Sequence, residues 1–220
     1  MIKLPDFKKS FEYENNFYLS CASARIGKIV VHYELYKKTQ HLKGAIIEAG
    51  VFKGASFVRF AMLEKILNPK NPRKIIGFDS FGEFPETKFK QDKALRQQFI
   101  DEIGKEGISK EQLEEVLTHK EVNSFVQLVK GNIVETAKSY VKDNPNLSIS
   151  LINLDADVYE PSIAVLEHFY PRLLHGGILI LDNYGEFPGE TKAVDEYFNG
   201  QNIEIKNFPF CKTPRYIIKK

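Results

Sequence analysis

Tryptophan is absent from this 220-residue chain, and cysteine and methionine occur only twice each. Cys21 and Cys211 lie far apart and fit no metal-ligand spacing. That excludes a zinc ribbon or a disulfide-stapled scaffold and leaves two buried or idle thiols in a reducing compartment. A surplus of charge is also missing. The 31 Lys and Arg nearly cancel the 29 Asp and Glu, leaving a formal +2, and no block of one sign is long enough to line a nucleic-acid groove. No run approaches the ~20 consecutive apolar residues of a membrane span. The start, MIKLPDFKKSFEYENNF, lacks the apolar stretch of a secretory signal. These absences point to a cytoplasmic protein with neither nucleic acid nor membrane as partner. Internal repeats and low-complexity linkers are lacking too, so the expectation is one domain over 1–220.

With 43% hydrophobic and 27% charged residues, the composition is globular. Short apolar runs alternate with amphipathic stretches, the pattern of an α/β fold with a mainly parallel sheet. Strands are expected at 44–49, 74–78, 125–129, 148–154 and 178–181. Between the first two, Phe57, Phe60, Ala61, Ile66 and Leu67 recur at helical spacing until Asn68-Pro-Lys-Asn-Pro72 stops them. A helix is expected over 133–142. Another is expected from Pro161 to Leu174, ended by Gly176-Gly177. Residues 203–208 and 215–219 read as an antiparallel pair. Five parallel strands and such a pair make the seven-stranded sheet of a class I methyltransferase, with helices on both faces. The charged stretch 83–124 reads as a helical insertion, with Ser109-x-x-Gln112 as a capping box. Residues 1–40 read as a helical or lid segment whose aromatics Phe11, Tyr13, Phe17 and Tyr18 either cover a substrate or simply pack. The five histidines share no close spacing and read as surface or structural residues.

Ligands of open parallel sheets sit beyond the carboxyl ends of the strands, and three such ends carry useful chemistry. Glu48-Ala-Gly50-Val-Phe-Lys-Gly54-Ala-Ser56 is a strand-loop-helix turn whose glycines permit close backbone approach. Asp79, followed by Ser80, is placed to accept hydrogen bonds from a ribose diol, or else to cap the next helix. Gly131-Asn132 borders an adenine ring or is an ordinary turn. A nicotinamide cofactor would use the same ground, but its G-x-G-x-x-G fingerprint is missing. The acidic Glu48 beside the loop suits the ammonium of S-adenosylmethionine better than a pyrophosphate.

The most informative stretch is LDADVYEPS, followed by YPRLLHGGILILDNY and AVDEYF. Two acidic strand ends, at Asp155 and Asp182, are suited to hold a hard cation or to cap helices. Together with IIEAGVFKGAS and GFDSFGEFP upstream, these segments resemble the macrocin O-methyltransferase family from about Arg25 to Phe198. The resemblance implies S-adenosylmethionine and Mg²⁺ as cofactors and a sugar or glycoside hydroxyl as acceptor. It also implies metal ligation by Asp155, Asp182 and the position of Asn183, a general base at Asp157, and a homo-oligomer. Glu48, Gly50, Gly54, Ser56, Asp79, Ser80, Gly131 and Asn132 become the expected cofactor contacts. The family pattern has Asp where this chain has Asn183, so the site carries one negative charge fewer. Two readings compete with a sugar O-methyltransferase: a nicotinamide-dependent oxidoreductase, and a binding module that has lost its chemistry.

Overall fold

The computed structural model describes residues 2–220, and its helices and strands follow the chain in this order. Helices α1 (Ser10–Ser20) and α2 (Ser23–Thr39) precede β1 (Ala45–Ala49), α3 (Ala55–Leu67) and β2 (Ile75–Asp79). The insertion supplies α4 (Asp92–Ile103) and α5 (Lys110–His119). Then come β3 (Val126–Lys130), α6 (Ile133–Asp143), β4 (Ile149–Leu154), α7 (Tyr159–His168) and β5 (Leu173–Leu181). Helix α8 (Pro188–Tyr197), β6 (Lys206–Phe208) and β7 (Cys211–Ile218) complete the chain. One sheet of order β3-β2-β1-β4-β5-β7-β6 gathers all seven strands. The first five in this order run parallel; β7 pairs antiparallel with β5 and with β6. This is the expected class I methyltransferase layout. Among the described residues no helix is long and apolar enough to cross a membrane.

Both faces of the sheet are covered, which is why its strands read as nearly continuous apolar runs. Ile47, Ala49, Ile152, Leu154, Leu179 and Leu181 face one core, filled by Ala137, Val165, Leu166 and Val194 of α6, α7 and α8 and by Phe169 just after α7. Ile46, Leu151, Ile178 and Ile180 face the other, filled by Leu35 and Tyr36 of α2, Phe57 and Phe60 of α3, and Leu113 of α5. Far from the carboxyl ends of the strands, a buried network ties α2 to α3. The Tyr36 hydroxyl donates to Glu64 at 2.8 Å, and Arg73 joins Glu64 and the Thr39 carbonyl.

Two boundaries differ from expectation. The helix expected over 161–174 is α7, which starts at Tyr159 and ends at His168. Strand β5 already begins at Leu173 and runs through Gly176 and Gly177. The glycine pair bends a strand instead of ending a helix, and Gly176 N–H and Gly177 C=O bond to Lys219. At the end of the chain, β7 begins at Cys211, because Cys211 pairs with Phe208 across the tight turn before Pro214. Both cysteines are free thiols, as expected.

In the insertion, the capping box on α5 is formed: Gln112 N–H donates to Ser109 Oγ and the Gln112 side chain receives Ser109 N–H. Asp92, fully buried, fastens the insertion down by accepting from Tyr159 N–H (3.1 Å) and Gly189 N–H (2.7 Å), at the first turns of α7 and α8. Phe84 and Phe99 pack against Phe52 from the loop after β1. Helix α1 buries none of its residues, and its aromatics face outward.

Candidate active site

A cavity of about 530 Å³ opens at the carboxyl ends of β1 to β4, where strand order reverses between β1 and β4. Gly50, Asp79, Ser80, Gly131, Asn132, Asp155 and Asp157 all line it, and Gly82 with residues 83–88 of the insertion borders it. Thr87 and Lys88 of that border are held by the Glu160 carboxylate (2.9 and 2.7 Å).

The loop after β1 is built around two constraints. Gly50 has φ +91°, and a Cβ there would fall 1.8 Å from the Asp155 carbonyl oxygen, so only glycine lets the loops after β1 and β4 meet. Asp79 holds the loop from the other side. Its Oδ2 accepts Val51 N–H (2.8 Å) and Phe52 N–H (3.0 Å), and its Oδ1 accepts Phe81 N–H (2.6 Å). Phe52, Phe81 and Asp157 all have positive φ without being glycine, and the three surround this cavity or its loops. Backbone strain of this kind collects at functional sites. Asn132 caps α6 by accepting Val134 N–H at 3.1 Å.

Glu48, Gly54 and Ser56 stand apart from the cavity lining. The Glu48 side chain turns toward α3 and is fully buried, bonded by Ser56 Oγ (2.7 Å) and Asn153 Nδ2 (3.2 Å). Burial, with the Asp155 charge next, pushes it up to about 8. Buried against α3 and outside the cavity lining, it does not face the pocket where the sequence placed it beside an ammonium. Along β1, side chains alternate between faces, and position 48 points into the α3 side. Because its folded pKa is raised above 4.5, its stabilising contribution is intact at low pH and is lost as pH rises toward and through about 8. Glu48→Gln should flatten this loss, by up to about 1.4 kcal/mol per pH unit within that window. Thermal melts of both forms from pH 6 to 9 in EDTA check it.

The acidic centre lies at the ends of β4 and β5. Asp155, Asp157 and Asp182 converge there, and Asn183 Nδ2 donates to Asp155 Oδ1 (3.1 Å) and Asp157 Oδ1 (2.6 Å). As placed, Asn183 offers the carboxylates its nitrogen and braces them, where the sequence reading had cast its oxygen as a metal ligand. Asp182 meets two residues of α2: Lys28, which the sequence did not single out, and His32, which it read as surface or structural. Lys28 Nζ is 2.5 Å from Asp182 Oδ2, and His32 Nε2 is 3.8 Å from Oδ1. Arg59 can only donate, at 3.0 Å, to His32 Nδ1, so the neutral ring carries its proton on Nε2, toward Asp182. Burial keeps His32 below its ordinary pKa and so neutral. Glu190, also overlooked, is fully buried; it accepts Asn183 N–H at 2.9 Å, while its Oε2 has no partner.

These neighbours divide the carboxyls. Burial would raise Asp182, but Lys28 and His32 outweigh it and hold Asp182 below the usual range. Burial and the Asp182 charge lift Asp155 to about 7. Burial, then the charges of Asp155 and Asp182, push Asp157 well up.

The family model described as macrocin O-methyltransferase matches residues 24–208 of this chain. The chain belongs to the macrocin O-methyltransferase family. A curated relative is the 8-demethyl-8-(2,3-dimethoxy-alpha-L-rhamnosyl)-tetracenomycin-C 4'-O-methyltransferase of Streptomyces olivaceus, 28% identical over 145 residues (64% of this chain). The chain spans about half, 53%, of that relative's length. The crystal structure of CalS11, a calicheamicin methyltransferase, superposes with a TM-score of 0.78 at 28% identity, covering 95% of this chain and 85% of that one. The O-methyltransferase NovP shares the fold, with a TM-score of 0.71 at 20% identity over 90% of this chain and 80% of that one.

Whether a divalent cation fits can be judged from the donor set. Among the described residues no three His, Cys, Asp or Glu side chains form a ready metal-binding group. Mg²⁺, however, needs only one or two carboxylates, with water and substrate oxygens completing its shell. Asp155 and Asp182 supply those, all hard oxygen. Asp182 Oδ1 is buried without a hydrogen-bond partner. The residues fit a dication.

Proposed function

We propose that this macrocin-family chain transfers a methyl group from S-adenosylmethionine to a hydroxyl of a sugar or glycosylated small molecule, with a divalent cation at Asp155 and Asp182. One observation carries the reading: the base candidate Asp157 lines the same cavity as Asp79, Ser80 and Asn132. A donor and an acceptor held there meet beside the group that takes the proton. The named activities of the tetracenomycin relative and of CalS11 support the acceptor class.

In this reading Asp79 and Ser80 bind the ribose, and Gly131-Asn132 border the adenine. The Gly50 loop approaches the methionyl part. Asp155 and Asp182 would hold the cation, whose chemistry is to acidify a coordinated hydroxyl. Asp157, kept basic by burial and its acidic neighbours, would take the proton of the acceptor hydroxyl as its oxygen bonds to the methyl carbon and the carbon–sulfur bond breaks, releasing S-adenosylhomocysteine. Asn183 holds Asp155 and Asp157 in register. Alignment of the two reactants in one pocket supplies much of the acceleration.

The experiment is methyl transfer to a panel of nucleotide-linked deoxysugars and rhamnosyl glycosides, read by mass spectrometry with Mg²⁺ and with excess EDTA. Methylated product that disappears in EDTA is the expected result. Undiminished product in EDTA would remove the cation, and failure to bind S-adenosylmethionine would overturn the reading as a whole.

Asn183→Asp tests the brace. It removes two hydrogen bonds and adds a carboxylate beside Asp155 and Asp157, so the metal-free protein should lose about 1–3 kcal/mol of stability. Mg²⁺ should restore part of it by binding the folded form. Thermal shift of both forms with EDTA and with Mg²⁺ gives the answer; equal midpoints throughout would place Asn183 outside the centre.

A further inference from the structure

We propose that Lys28 is a resident counter-cation of the acidic centre, which a divalent metal must displace from Asp182 in order to bind. The inference rests on the cation reading above and deepens it.

Helix α2 is fixed, so Lys28 has little choice of partner. One and two turns further along, Val31, His32, Leu35 and Tyr36 are fully buried. Gly27 lies so close to β7 that an added Cβ would be 3.1 Å from Cys211 Sγ. At its far end, Tyr36 and Thr39 join the Glu64–Arg73 network. What remains free to move is the Lys28 side chain, about a quarter exposed, whose ammonium sits 2.5 Å from Asp182 Oδ2.

Asp182 itself is nearly sealed, with its side chain 4% exposed. Lys28 occupies one oxygen. The other lies 3.8 Å from His32 Nε2 and has no hydrogen-bond partner. A hard dication seeks that same carboxylate and dehydrates reluctantly. Two cations on one buried carboxylate repel each other strongly in a low-dielectric setting. The ammonium, carried on four methylenes and partly exposed, is the member that can withdraw to water. Lys28 thus satisfies Asp182 in the metal-free protein and lowers metal affinity in proportion.

Calorimetric titration of the EDTA-dialysed full-length chain with MnCl₂ tests this in wild type, Lys28→Met and Lys28→Arg. The expected result is at least tenfold tighter Mn²⁺ binding in Lys28→Met, with Lys28→Arg near wild type. Equal or weaker binding in Lys28→Met, with wild type binding normally, overturns the inference and leaves the cation reading standing. Absence of Mn²⁺ binding in both a folded wild type and a folded Lys28→Met overturns both. Should Lys28→Met fail to fold, the wild type alone decides: brief acetic-anhydride labelling read by mass spectrometry should show Lys28 several-fold more reactive at saturating Mn²⁺. Unchanged labelling would overturn the inference.

Discussion

Asp157→Asn is expected to lower kcat by about 10²–10⁴-fold, the usual contribution of a positioned general base, while leaving the affinity for S-adenosylhomocysteine within about twofold. The substitution is chosen to spare the structure. Asparagine tolerates the left-handed φ of +62° found at this position, keeps the side-chain shape, and still offers an oxygen to Asn183 Nδ2. It lacks only the ability to take a proton. If both kcat and cofactor affinity survive, the base lies elsewhere, and Asp155 becomes the first alternative because it lines the same cavity. If the protein unfolds, the pH dependence of wild-type kcat still reports the group: activity should rise with pH as a carboxyl lifted above its ordinary range loses its proton.

Asp79→Ala is the second large effect, and the structure makes it larger than the sequence implied. A ribose contact alone predicts a loss of about 1.5–3 kcal/mol per charge-assisted hydrogen bond. Here the same carboxylate also receives the N–H groups of Val51, Phe52 and Phe81. Removing it frees the Gly50 loop as well as the ribose anchor, so S-adenosylhomocysteine affinity should fall by at least about a hundredfold, with a lower melting temperature. Asp79→Asn, which keeps an acceptor oxygen, should fall between the two. Calorimetry at one pH across the three forms provides the ordering. An Asp79→Ala protein that binds as wild type would take Asp79 out of the site.

Much of this arrangement was legible because it is local. The turn Gly50 to Gly54, the acid ending β2 and the LDADVYEPS segment each combine a strand end with its chemistry inside a dozen residues. What escaped was written across the chain. Lys28 and Asp182 are 154 positions apart, and nothing in the sequence of α2 indicates that one of its turns faces the end of β5. His32 was set aside for want of a nearby histidine, yet its partners are Asp182 and Arg59. Glu48 stands away from the cavity for the opposite reason. It sits in the right segment, but the two-residue alternation of β1 points it at Ser56 and Asn153. Gly176-Gly177 looked like a helix stop because glycine serves both uses, and only pairing with Lys219 distinguishes a bent strand.

The most direct test of the central claim is a crystal structure with S-adenosylhomocysteine and Mg²⁺ bound. The account predicts the nucleoside in the cavity with its ribose at Asp79 and its adenine beside Asn132. The sulfur should point toward Asp157, with the metal on Asp155 and Asp182. A nucleoside bound elsewhere, or a sulfur directed away from Asp157, would contradict it.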